Sequence, residues 1–112
     1  GSILTFEAIH PKWSYAKVDK NNLVTEVAEK KVISKNATAG VYYWKKGNDY
    51  VKYAEQMINK NIRVNNEFYV CPVFNEAILD KKRIIIDQVE EMHGLGTPDD
   101  LNHFLNVKNK LI

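Results

Sequence analysis

Residues 13–29, WSYAKVDKNNLVTEVAE, constrain the fold more than any other stretch of the chain. Residues 13–19 alternate in period two, with Trp13, Tyr15 and Lys17 on one side and Ser14, Ala16 and Val18 on the other. Lys20-Asn21-Asn22 is a turn, because asparagine tolerates left-handed backbone. Residues 23–29 return as the second arm, which makes an antiparallel hairpin. Two strands alone do not make a stable sheet. The flanking segments must extend and cover it.

Those segments alternate between strand and helix patterns. Residues 3–9 are a short apolar strand, ended by His10-Pro11-Lys12, since proline cannot donate to a ladder. Residues 32–38 are polar and irregular, and residues 39–45 read as an aromatic strand. A helix then starts near Gly47 with Asn48 or Asp49 as cap; its buried stripe is Tyr50, Val51, Ala54, Met57 and Ile58, and Asn59-Lys60-Asn61 ends it. Ile62-Arg63-Val64 reads as a short strand and Asn65-Asn66-Glu67 as a turn. A second helix is expected over 68–79, with Pro72 in its first turn and Phe68, Val70, Phe74, Ala77 and Ile78 inward. Residues 83–89 form another strand, whose continuous Ile84-Ile85-Ile86 points to burial on both faces. Thr97-Pro98-Asp99-Asp100 opens a last helix to about Lys108: threonine cap, proline first, carboxylates at the positive end. That helix is expected to bury Leu101, Phe104, Leu105 and Val107. The fold class is therefore α/β, a mixed sheet with flanking helices.

At 112 residues the chain is sized for one domain, and 45% hydrophobic with 27% charged residues is globular composition. The net charge of +2, with no long basic block, gives no electrostatic case for nucleic acid. No apolar run approaches the roughly 18 residues of a spanning helix, and no signal-peptide pattern opens the chain. Gly1-Ser2 reads as the scar of an expression tag, and residues 3–112 as one portion of a longer protein. The single Cys71 excludes an internal disulfide and reads as packing. Asn36-Ala37-Thr38 matches the glycosylation pattern by chance.

Several constellations reduce to bland readings. Gly94-Leu95-Gly96 precedes a helix but is no phosphate loop: Asp99 and Asp100 fill the anion position, Pro98 removes a donor, and the P-loop lysine is missing. His10, His93, His103 and Cys71 lack the paired spacings of a metal site. Tyr42-Tyr43-Trp44 fits a ligand stack or a core, with the core favoured. Glu29-Lys30 is the best candidate on chemistry: a carboxylate accepts from sugar hydroxyls, and an adjacent ammonium neutralises a phosphate.

Four stretches in order, "PKWSYAKVDKNNLVTEVAEKK", "ATAGVYYWKKG", "NNEFYVCPVFNEAI" and "GLGTPDDL", resemble the C-terminal half of the sugar-phosphate nucleotidyltransferases, over residues 3 to about 105. The resemblance implies a Rossmann-like, glycosyltransferase-A-like fold. It implies a parent enzyme that joins a nucleoside triphosphate to a sugar 1-phosphate and releases pyrophosphate, with Mg2+ as its cofactor. By the same resemblance Glu29 binds acceptor hydroxyls and Lys30 the acceptor phosphate. Ser14, Ala39 and Gly40 line the sugar, and Glu67 is a second acceptor-side carboxylate.

Three departures accompany it. Lys31 stands for the family's proline, and Gly94 stands for the aspartate that ligates magnesium. The glycine-rich nucleotide loop, with its catalytic arginine and lysine, is absent. No catalytic residue and no metal ligand is therefore assigned here; magnesium belongs to the parent, and the chain alone is expected to be inactive and to self-associate through residues 3–9 as a cut edge. The expected setting is capsule or surface-polysaccharide synthesis in a bacterial cytoplasm, with the nucleotide bound only in the parent. A phosphonate or phosphorylated alcohol is an alternative acceptor. A non-catalytic binding or oligomerisation module of the same fold is the alternative function.

Overall fold

The computed structural model describes residues 1–111, with their side chains up to residue 109. Eight elements follow one another: β1 (Ser2–Glu7), β2 (Ser14–Val18), β3 (Val24–Glu29), β4 (Asn36–Tyr43), α1 (Gly47–Asn59), α2 (Val73–Leu79), β5 (Ile85–Gln88) and α3 (Pro98–Leu111). The five strands form one mixed sheet in the order β3-β2-β4-β1-β5, with β1 and β5 parallel and the other pairs antiparallel.

The hairpin forms where its sequence places it. Asp19 Oδ1 accepts from the Asn21 and Leu23 N–H groups, and Asn22 takes φ 64. Asparagine at that left-handed position avoids the cost a branched residue would meet. β2 joins the rest of the sheet through a single backbone pairing, Tyr15 opposite Ala37. The edge of β3 is blunted by α2: Val27 N–H donates to Asn75 Oδ1 at 2.8 Å, and Asn75 Nδ2 donates to Val27 O at 2.7 Å. A side-chain amide thus occupies the ladder positions that a further strand would use.

The core lies between the sheet and α1–α2. Ile3, Ala16 and Val27 from the strands meet Tyr53, Met57, Val73, Phe74 and Ala77 from the helices. Trp44 stacks on Phe74 at 4.3 Å between centroids, and Tyr42 tilts against the same ring. Tyr53 is fully buried because its hydroxyl reaches Asp80 Oδ2 at 2.5 Å, so its polar tip is satisfied. Buried Glu76 is paired by Lys60 at 2.6 Å, which ties the end of α1 to α2.

Several expectations need correction. β1 is an interior strand between β4 and β5, so residues 3–9 are not the edge. β4 begins at Asn36, not residue 39, because Asn36, Ala37 and Thr38 pair with Glu7, Phe6 and Thr5. Residues 62–64 make only an isolated bridge, Val64 to Glu67. The N-cap of α1 is Lys46, without a side-chain bond, in place of Asn48 or Asp49. That helix turns Tyr53 inward with Met57, and leaves Val51 and Ile58 exposed.

The second helix starts only at Val73, after a turn in which Val73 N–H donates to Val70 O at 3.1 Å; Phe68 and Val70 stay exposed. Of the isoleucine run only Ile84 is buried, because β5 is an edge strand with Ile85 open to solvent. α3 opens as expected, with Asp100 N–H on Thr97 Oγ1 at 3.1 Å, yet Leu101 and Leu105 remain exposed.

Candidate functional site

A cleft of about 300 Å³ opens across the single pairing between β2 and β4. Ser14 stands directly opposite Glu29 in the hairpin register, which puts both side chains on one face. The Ser14 and Thr38 hydroxyls share a hydrogen bond, and the Tyr42 hydroxyl bonds Thr38 Oγ1 at 3.0 Å. Ala39 and Gly40 form the facing wall. Gly40 has φ +81, a conformation that side chains rarely adopt, and a Cβ built there meets nothing within 4 Å. Glycine is thus demanded by the backbone at this position, and open space for a ligand lies above it.

Burial pushes the Glu29 carboxyl above the ordinary carboxylate range, while Lys30 and Ser14 pull it partly back. Burial likewise pushes the Cys71 thiol, which lines the cleft floor, up to about 11. It is a wall here and not a nucleophile. Lys30 takes φ 58 as β3 ends, and its ammonium lies 5.5 Å from the Tyr69 ring centroid. That turn points Lys30 into an adjoining hollow of about 490 Å³, shared with Ala39, Gly94 and Asp100.

Of the residues singled out from sequence, the structure brings Ser14, Glu29, Ala39 and Gly40 together and sets Lys30 next door. Glu67 does not line either hollow. It sits after the left-handed Asn65 and Asn66, and acts on the cleft only indirectly, as the main cause that raises the Tyr69 hydroxyl. Sequence reasoning missed Thr38 and Tyr69 as lining residues, and favoured the core for Tyr42, which lines the cleft as well as tilting against Phe74. Thr38 lay in a segment read as irregular; the alternation that pairs Asn36–Thr38 with β1 was the available signal.

Position 94 tests whether this wall fits a metal. A Cβ on Gly94 would come within 3.2 Å of the Trp13 ring and 3.6 Å of Asp100 Oδ2. The nearest carboxylate, Asp100, is already paired with Lys12 at 3.3 Å. Among the described residues no three His, Cys, Asp or Glu side chains come together as ligands. The residues of this wall do not fit a metal.

The mixed five-stranded sheet with flanking helices and a cleft beyond β2 and β4 defines a nucleotidyltransferase-like α/β fold. The chain is similar to the crystal structure of a nucleoside-diphosphate-sugar pyrophosphorylase from Vibrio cholerae RC9, with TM-score 0.86 and 26% identity over 95% of this chain. It spans 46% of that chain, about half its length. The likeness supports the resemblance read from the four motifs. No family profile and no curated protein matches the sequence.

Proposed function

We propose that this chain is the acceptor-binding part of a nucleotidyltransferase that joins a nucleoside triphosphate to a sugar 1-phosphate in nucleotide-sugar synthesis for surface polysaccharide in the cytoplasm. The observation that carries this reading is the facing arrangement of Ser14 and Glu29 against Ala39 and Gly40, within a fold like half of a pyrophosphorylase. Glu29 accepts from acceptor hydroxyls, and the hydroxyls of Ser14, Thr38 and Tyr42 extend the polar floor. Lys30 receives the phosphate as a point charge.

In the longer protein an acceptor phosphate oxygen attacks the α-phosphorus of the triphosphate. The bond to the bridging oxygen breaks, and pyrophosphate leaves with that electron pair. This chain binds and orients the acceptor; the nucleotide, the catalytic cations and any magnesium ligands belong to residues outside it. A non-catalytic module of the same fold is the second reading, favoured by the metal-incompatible wall at Gly94.

The test is a titration of the labelled chain with glucose 1-phosphate and with glucose, followed by amide shifts. Saturable shifts at Ser14, Glu29 and Gly40 are expected. Shifts confined to other surfaces, or none at millimolar ligand, overturn the site.

A further inference from the structure

Lys12 has no role in the functional reading above; in the sequence it merely follows the proline that ends β1. In the structure it lines three adjoining hollows: the 300 Å³ cleft, the 490 Å³ hollow that holds Lys30, and a smaller one of about 180 Å³ beside α3. Its ammonium is held from two sides, 3.3 Å from Asp100 Oδ1 and 4.6 Å from the Trp13 ring centroid. Asp100 is in turn held at the start of α3, where its backbone N–H donates to Thr97 Oγ1 at 3.1 Å. The Lys12 side chain still keeps 44% of its surface exposed. A lysine on a flexible stem usually loses rotamer freedom when it binds an anion, and these contacts have already removed much of that cost.

Lys12 and Lys30 face one hollow in which Asp100 is the single carboxylate. Two ammonium groups against one carboxylate leave the hollow positive, at the wall where the residues do not fit a metal. We propose that Lys12 is a second anion-binding residue of this site: with Lys30 it brackets the phosphate of a phosphorylated acceptor and supplies from the protein the positive charge that no metal ligand is placed to supply here. The assignment rests on the acceptor-site reading. The competing explanation is a purely structural pair, with Lys12 pinning α3 to the loop before β2.

The two differ in sign. The full 112-residue chain, as wild type, Lys12→Gln, Lys12→Arg and Asp100→Asn, is titrated with glucose 1-phosphate, glucose and MgCl2, and each variant is melted. An anion-binding Lys12 predicts that Lys12→Gln weakens glucose 1-phosphate about tenfold, the scale of a lost charge-assisted contact, and leaves glucose unaffected. Lys12→Arg retains most of the affinity. Asp100→Asn tightens the phosphate, because it releases the ammonium from its carboxylate. Magnesium alone leaves the Gly94 and Asp100 amides unmoved.

A structural pair predicts instead that Lys12→Gln and Asp100→Asn lower the melting temperature alike and shift affinity in the same direction; that outcome overturns the assignment. Wild-type affinity in Lys12→Gln also overturns it, and leaves the acceptor site standing on Glu29 and Lys30. A wild-type chain that binds neither glucose 1-phosphate nor glucose removes both readings together.

Discussion

Glu29 carries opposite demands. It must be ionised to accept strongly from hydroxyls, yet burial raises its carboxyl. A raised folded value means that its contribution to stability is full below the ordinary glutamate range and is lost as pH rises through the folded value. Glu29→Gln should therefore gain stability relative to wild type as pH climbs past that value, while sugar phosphate binding weakens about tenfold. Melting curves from pH 4 to 8, alongside a binding titration, check both halves. A stability loss at neutral pH would mark the residue as a structural anchor of the hairpin. Cys71 gives a separate readout. With its thiol near 11, only about a thousandth is thiolate at pH 8. Iodoacetamide should label the native chain far more slowly than the denatured one. Equal rates would contradict the burial that places Cys71 in the cleft floor.

Among the elements, the Asn75 clamp on β3 is the contact most open to a single change. Asn75→Ala strips both partners from Val27 and should cost about 1–3 kcal/mol in denaturant unfolding. Unchanged stability would show that water replaces the amide without loss. The hairpin and the Thr97 cap were legible in the sequence because each is built from neighbours: Asp19 with Asn21 and Leu23, Thr97 with Asp100. The order of the strands was not. β1 looks like an edge until β5, some eighty residues on, pairs with it in parallel. The stripe of α1 failed for a similar reason. Tyr53 outranks Val51 and Ile58 only because Asp80, on another element, satisfies its hydroxyl. Ser14, Glu29, Ala39 and Gly40 were readable as motif positions, but the convergence of Thr38, Tyr42 and Tyr69 on them depends on where β4 crosses the hairpin.

At the scale of the whole molecule, β5 is the last strand of the sheet, bridged at its start by Leu23 opposite Ile85, and the sheet face away from α1 and α2 shows Val41, Tyr43 and Ile85 to solvent. Ser2 pairs with both Tyr43 and Ile85, so these side chains share that face. Uncovered apolar surface on a sheet face favours association. Sedimentation should show oligomers growing with concentration, and Ile85→Lys should suppress them. A monomer throughout a hundredfold dilution series would refute this. The junction between β2 and β4 bears on the cleft differently. Only Tyr15 and Ala37 pair there, reinforced by the Ser14–Thr38 bond and by Ser34 Oγ donating to Ala16 O at 2.7 Å. Ser14 and Glu29 ride on one side of this junction, and Thr38, Ala39 and Gly40 on the other. Few backbone bonds tie the two walls, but Tyr15, Ala16 and Ala37 are fully buried, so packing more than pairing holds the walls together. The width of the cleft is therefore set from beneath, by the side chains packed under the junction, and a bound acceptor would tighten that packing. Amide exchange at Tyr15 and Ala37 should slow when an acceptor is held, though neither side chain need touch it.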